Sequence, residues 1–377
     1  MTIQKKLKIL QILRAPTGGL WRHVVDLSTE LVNRGHEVGI VLNSGFSDSQ
    51  TDQGLAVLGP RLKLGVHRIP ISRQPSFGDF SAALKIGKLA RQLRIDILHG
   101  HGSKGGLFVR LAGIGSNRRV AIYTPHGGVL HYDAASRTGK LVHKAEKWLL
   151  PATDAILFES AFAKRAFLAQ IGNPSCVTPV IHNGLRPDEF KSIPAESGAF
   201  EFVFVGELRA IKGLSFLLEA LTRIKRPDGQ LARLVIVGGG PDEEALKSQI
   251  ERLGLGARVY MAGVQPAQKM FAKGQCVVIP SLAESLPYIV LEAVAAQKQV
   301  ITTRVGGIDE IFGPTAPALI PAGNSEALAV AMQSFLDDPK LAELEVATRL
   351  KFVRERFSLA HMTDSIEAHY TKALSKG

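Results

Sequence analysis

Short apolar runs alternate with helical patterns from one end of the chain to the other. Residues 7–13 carry Leu7, Ile9, Leu10, Ile12 and Leu13, interrupted only by Lys8 and Gln11, and are read as one apolar strand covered on both faces. Residues 20–33 follow with helical spacing and stop at Gly35, a residue suited to the left-handed turn that ends a helix. The next strand is expected at 36–42. Further strands are predicted at 95–99, 120–124, 154–158 and 177–181, with helices between them at 78–93, 105–112, 137–150 and 161–170. A second series opens at 200–205 and runs through 234–237, 258–261, 276–280, 299–303 and 318–320. Its helices fall at 214–224, 242–253, 289–297 and 325–336, and residues 341–374 form a helical tail broken near Phe357-Ser358.

Strands that are apolar on both faces and separated by helices imply parallel sheets with helices on each side. Two such series predict an α/β chain of two doubly wound domains. The favoured boundary is 183–197, rich in Pro, Gly and polar residues. A length of 377 residues suits two domains.

Composition narrows the setting. No run of eighteen apolar residues appears, so no transmembrane helix is expected. The basic start (Lys5, Lys6, Lys8) precedes an apolar run too short for a signal peptide. Cys176 and Cys276 are the only cysteines, which points to a reducing, cytoplasmic compartment and away from disulfides or a cysteine metal site. Charge is uneven: residues 1–190 hold 25 Lys and Arg against 13 Asp and Glu, and residues 191–377 hold 21 of each. Nucleic acid, anionic lipid or a polyanionic substrate could use that field, as could plain solubility. Nucleic acid is disfavoured, because the basic residues are scattered without interleaved aromatics.

In open α/β sheets ligands bind beyond the carboxyl ends of the strands, so the chemistry is sought in those loops. Gly18-Gly19 after the first strand opens a helix whose N–H groups could take a phosphate, and a plain tight turn fits equally. His126 stands between Pro125 and Gly127 at a later strand end, with His99 and His101 at the preceding strand's exit as polar neighbours. No carboxylate or cysteine lies near at ligand spacing, so no metal is expected there. Arg209 and Lys212 follow the strand at 200–205, placed to neutralise a diphosphate as Mg²⁺ does elsewhere. The chain lacks an Asp-x-Asp pair, which agrees with a cation pair in place of metal. Gly238-Gly239-Gly240 is a weak dinucleotide-loop signal, since Asp242, Glu243 and Glu244 already complement the helix start and would repel a pyrophosphate. That argues against a nicotinamide enzyme.

The most informative stretch runs from Pro280 to Ala293. Glu284 sits in a loop, Glu292 sits in an apolar helix starting near Pro287, and the N–H groups of Ser285 and Leu286 are placed to meet a phosphate. If the whole span were helical, the two carboxylates would stand about 12 Å apart, too far for a glycosidase pair. That spacing suits two hydroxyl-rich ends of one elongated ligand. Val305-Gly306-Gly307 is either a support for the same pocket or a bare turn.

Together these segments resemble glycosyltransferase family 4, over nearly the whole chain. The resemblance rests on Gly18-Gly19 before His23, Arg34-Gly35-His36-Glu37-Val38, Thr124-Pro125-His126-Gly127, Asn183-Gly184, Lys212-Gly213 and the Glu-x7-Glu motif from Glu284 to Glu292. It implies the GT-B architecture, two Rossmann-like domains facing across a cleft. Residues 1–182, with a final helix at about 358–377 crossing back, would be the acceptor domain, and 183–357 the donor domain. It implies a retaining, metal-independent transfer from a UDP- or GDP-sugar to a hydroxyl acceptor, in cell-surface polysaccharide or glycolipid synthesis, with no cofactor beyond the nucleotide-sugar.

By the same resemblance Glu284 binds the donor sugar, Glu292 the ribose, Lys212 the leaving diphosphate, Gly19 that phosphate, and His126 the sugar. One departure is clear. The family has Arg directly after the glycine of its Val-Gly-Arg loop, where this chain has Glu207, and Arg209 is expected to supply the missing charge. The basic excess of the first half would draw a lipid-linked, phosphate-bearing acceptor. Residues 137–148 read either as an interfacial helix at the inner face of an anionic membrane or as an ordinary packed helix. A sugar-nucleotide epimerase or hydrolase, and a non-catalytic sugar-nucleotide-binding protein, are the alternatives.

Overall fold

The structure, a computed structural model, describes residues 6–46, 48–112, 119–128 and 135–375. Lys5 of the basic start lies outside them. The chain divides into two compact units: Met1–Gly184 with Leu359–Gly377, and Leu185–Ser358.

In the first unit the order is β1 (Lys8–Leu13), α1 (Gly18–Asn33), β2 (Glu37–Asn43), α2 (Ser49–Leu58), β3 (Val66–Ile69), α3 (Gly78–Gln92), β4 (Ile97–His101), α4 (Gly102–Ala112), β5 (Val120–Thr124), α5 (Arg137–Leu149), β6 (Ala155–Ile156) and α6 (Ala161–Gln170). The strands pair in parallel in the order β3-β2-β1-β4-β5-β6. Alternate residues of β1 serve opposite layers. Ile9 and Leu13 pack with Val24, Leu27 and Leu31 of α1, and Leu10 and Ile12 pack with Ile86 and Phe108 of α3 and α4. That is why apolar residues occupy both faces of the strand.

In the second unit β7 (Phe200–Val205), α7 (Leu214–Leu221), β8 (Leu234–Val237), α8 (Glu243–Arg252), β9 (Val259–Met261), α9 (Ala267–Phe271), β10 (Gly274–Ile279), α10 (Tyr288–Ala295), β11 (Gln299–Thr302), α11 (Ile308–Phe312), α12 (Ser325–Asp337) and α13 (Pro339–Arg356) follow one another. The sheet order is β11-β10-β7-β8-β9, again parallel. Val203 and Val205 face one apolar layer, with α10 and α13, and Phe202 and Phe204 face the other, with α7 and α12.

The helix α14 (Leu359–Leu374) belongs to the first unit, where Met362, Ile366 and Tyr370 join the layer that holds α1. Arg34 Nη1 donates to Asp364 Oδ1 at 2.6 Å and Glu367 Oε2 at 2.9 Å, and His36 Nε2 meets Glu367 Oε1 at 2.5 Å. The Arg34-Gly35-His36 segment therefore anchors the last helix.

Several elements differ from expectation. The runs at 177–181 and 318–320 touch neighbouring strands only through isolated bridges, because Pro179 in one and Pro317 beside the other interrupt a ladder. The edge strand β3 and the helix α2 were not anticipated. β4 begins later than expected, so His99 and His101 lie within the strand, buried, rather than on its exit.

Candidate functional site

In the second unit three loops that follow strands meet. After β7 the chain makes a short 3₁₀ turn, Ala210–Lys212, and Gly213 turns it into α7 with φ +68°. A β-carbon on Gly213 would stand 2.0 Å from the carbonyl oxygen of Pro280, so only glycine permits this approach. The Leu282 N–H then donates to the Ile211 carbonyl at 2.8 Å, joining the loop after β7 to the loop after β10. The result is that Lys212 Nζ donates to Glu284 Oε1 at 2.6 Å, and Ser281 Oγ donates to the same oxygen at 2.7 Å.

The loop after β11 supports Glu284 from another side. Gly306 sits at φ +61°, where a β-carbon would be 2.0 Å from the Glu284 carbonyl oxygen, and Gly307 N–H donates to the Ser285 carbonyl at 2.7 Å. The second glycine pair is thus more than a bare turn. It holds the backbone of Glu284.

The other expected residues of this unit fall out differently. Helix α10 spans only Tyr288–Ala295, so residues 284–287 are not helical and the helical spacing between Glu284 and Glu292 does not apply. Glu292 is half-buried on that helix. Ser285 is half-buried and Leu286 buried in the loop that leads into α10. Arg209 is half-exposed, and its Nη1 lies 3.6 Å from Glu207 Oε2, a weak, solvent-screened pair. The glycine loop after β8 is structural: β-carbons on Gly238 and Gly240 would collide with the carbonyl oxygens of Gly206 and Leu208.

In the first unit, α1 starts at the expected glycine pair. Thr17 caps it without a side-chain hydrogen bond, no acidic residue lies in its first turn, and residues 17–19 are exposed. The positive end of a sixteen-residue helix is left uncompensated there, which favours an anion.

His126, at φ +50°, holds a backbone conformation that non-glycine residues seldom adopt, which aims its ring toward two other histidines. Its Nε2 is 3.0 Å from Nδ1 of His101, whose Nε2 is 2.7 Å from Gln11 Oε1. His23 on α1 packs against His126 with ring centroids 4.7 Å apart, and its Nδ1 is 3.1 Å from Asn183 Oδ1. His99 lies between Tyr370 OH at 2.6 Å and Thr124 Oγ1 at 2.8 Å, which ties α14 to β5. Burial pushes His99, His101 and His126 well below the usual histidine range, and His23 down to about 4, so all four rings are neutral at pH 7. The neighbouring histidines reinforce the shift in His99, His101 and His126. Gln11 was missed from the sequence, yet a polar residue inside an otherwise apolar strand was a usable signal.

Two doubly wound parallel sheets in series, with polar loops at their carboxyl ends, are the GT-B class of glycosyltransferase fold. Solved structures agree: Anabaena HepE in complex with UDP superposes with a TM-score of 0.78 at 21% identity, covering 99% of this chain and 100% of the other. Sucrose-phosphate synthase from Thermosynechococcus elongatus gives 0.80 at 19% identity, with 99% and 100% covered. By sequence, residues 17–189 match the model for glycosyltransferase family 4 and residues 186–348 that for glycosyl transferases group 1. The chain belongs to the family 4-like glycosyltransferases, enzymes that transfer sugar from a nucleotide-sugar. A glycogen synthase of Mycobacterium tuberculosis is 28% identical over 374 aligned positions, covering 90% of this chain and 87% of the relative. The phosphatidylinositol N-acetylglucosaminyltransferase gpi3 subunit of Schizosaccharomyces pombe is 25% identical, covering 95% and 78%.

Proposed function

We propose that this glycosyltransferase retains the anomeric configuration, needs no metal ion, and takes its sugar from a UDP-sugar, with a GDP-sugar as the other candidate donor. The observation that carries the reading is the Lys212–Glu284 contact, held by three loops at the carboxyl ends of β7, β10 and β11. Lys212 places a cation where a leaving diphosphate needs one, and Glu284 offers a carboxylate to sugar hydroxyls. Arg209 is the second cation and leaves Glu207 for the diphosphate when donor binds. Glu292 takes the ribose hydroxyls, and the backbone of Ser285 and Leu286 lines the donor subsite. The roles the resemblance gives to Gly18, Gly19 and His126, toward phosphate and sugar, are part of the same proposal.

The bond from the anomeric carbon to the diphosphate oxygen breaks first, and its electron pair stays with the diphosphate beside Lys212. The acceptor hydroxyl attacks the oxocarbenium-like sugar from the face the diphosphate has just left. Its proton passes to a phosphate oxygen, so no separate base is required. The structure of Anabaena HepE in complex with UDP-glucose supports uridine as the base to try first.

The acceptor we propose is a lipid-linked hydroxyl, as in cell-surface polysaccharide or glycolipid synthesis, met at the inner face of the membrane. Among the described residues no helix is long and apolar enough to cross a membrane. Peripheral contact is supported by α5, which exposes Leu141 and Trp148 beside Lys140, Lys144 and Lys147.

A thermal-shift screen with UDP-, GDP- and ADP-sugars tests the donor, and NMR of the product with EDTA present tests anomeric retention and metal independence. Inversion, or loss of turnover in EDTA, rejects the mechanism. Donor consumption equal with and without acceptor points instead to a hydrolase or epimerase.

A further inference from the structure

Three histidines far apart in sequence come together in the first unit. His23 lies on α1, His101 ends β4 and His126 follows β5, and one ring nitrogen from each lies within 4.8 Å of the others. His23 and His101 are 2% and 1% exposed. The rings stand at centroid distances of 4.7, 5.3 and 5.5 Å.

The hydrogen-bond partners decide where the ring protons are. Asn183 Oδ1 and Gln11 Oε1 can only accept, so His23 Nδ1 and His101 Nε2 carry the protons that face them. The lone pairs are therefore on His23 Nε2 and His101 Nδ1. His23 Nε2 is buried with no hydrogen-bond partner, a costly condition for a polar atom. His101 Nδ1 meets only His126 Nε2. A shift of the His126 proton to its other nitrogen would turn all three lone pairs inward.

We propose that His23, His101 and His126 form a binding site for a divalent transition-metal ion of the zinc type. Three imidazoles with the fourth position left to water or ligand are an established zinc donor set, with metal–nitrogen bonds of about 2.0–2.1 Å. Tetrahedral ligands at that length stand roughly 3.4 Å apart, so the rings need to close by at most about 1.5 Å. Asn183 and Gln11 fill the supporting role, each accepting the outer N–H of a ligating ring and so fixing its tautomer. An all-nitrogen set selects Zn²⁺, Ni²⁺ or Cu²⁺ over Mg²⁺, so this ion is not a counterion for a diphosphate. The site shares His126 with the nucleotide-sugar reading, which gives that ring to the sugar, and uses none of the donor-binding residues of the second unit.

The test is titration of the full, untagged, EDTA-stripped chain with Co²⁺. We expect one equivalent to bind with visible d–d absorption, displaced by Zn²⁺ and not by Mg²⁺. His23→Gln and His101→Gln should each weaken binding at least tenfold. Absence of binding, or binding unchanged in both variants, overturns the proposal; the latter marks adventitious surface sites. Where circular dichroism finds those variants unfolded, X-ray absorption of the zinc-loaded wild type decides: three imidazole ligands support the site and fewer overturn it. Thermal shift with UDP-sugars, measured in parallel, separates the failure of this inference from that of the donor reading.

Discussion

Lys212 Nζ donates to Glu284 Oε1 at 2.6 Å although 72 residues separate the two. Neither loop could place its side chain alone. The contact exists because Gly213 lets the backbone pass against Pro280, and because Leu282 then hydrogen-bonds to Ile211. Each charge, part-buried, is neutralised by the other, and a sugar diphosphate would replace that pairing with one partner for each side chain.

Lys212→Ala should therefore remove a cation aimed at the leaving diphosphate. Loss of one such preorganised group typically costs about 10²–10³ in rate. We expect kcat/KM for sugar transfer to fall by that order while the urea midpoint moves little. Turnover within threefold of wild type would refute the role.

Arg209 and Glu207 form a half-exposed pair at 3.6 Å. If Arg209 serves the diphosphate, Glu207→Gln releases it and donor KM falls by roughly two- to fivefold, the effect of a weak surface pair worth up to about 1 kcal/mol. Arg209→Ala should raise the donor KM. Unchanged kinetics in both variants would show Arg209 to be a bystander.

At Gly306 a β-carbon would meet the Glu284 carbonyl at 2.0 Å, in a left-handed backbone. Gly306→Ala should cost about 3 kcal/mol or more in urea-unfolding free energy of the second unit. It should also lower kcat more than a substitution at an open glycine such as Gly198, which has nothing near its side-chain position.

Acid should unfold the first unit early. His23 is held at about 4 against an ordinary value of 6.5, because burial disfavours its charged form. Above pH 6.5 neither folded nor unfolded chain binds the proton, and the stability is complete. As pH falls from 6.5 toward 4 only the unfolded chain takes it up, so stability is lost, by roughly 3 kcal/mol for this group alone. His99, His101 and His126 shift in the same direction. Urea midpoints at pH 7 and pH 5 should differ clearly, and the difference should shrink in His23→Gln.

Arg110 is fully buried and bound by Glu146 at 2.7 and 2.9 Å, joining α4 to α5. Glu146→Ala strands that guanidinium and should cost about 3–5 kcal/mol. Arg110→Met combined with Glu146→Leu should recover most of the loss, as judged by chemical denaturation.

Much of the fold was legible in the sequence, for a local reason. Runs such as 120–124, 200–205 and 234–237 are apolar on both faces, and their strands have these bounds. The break near Phe357-Ser358 likewise separates α13 from α14. Lys212, Glu284 and the two glycine pairs were marked by lying just past strand ends. By contrast, β3 reads Val66-His67-Arg68-Ile69, four residues without the period-two alternation that marks a strand.

What the sequence determined by itself was therefore the strand–helix rhythm, the doubly wound class and the loops in which to look for chemistry, since each depends on residues close along the chain. Tertiary structure alone decided that Arg34 and His36 receive Glu367 of α14, that Lys212 meets Glu284, and that His23, His101 and His126 converge. These depend on which strands become neighbours and how closely their loops approach, and parallel crossovers set both over separations that no local pattern encodes.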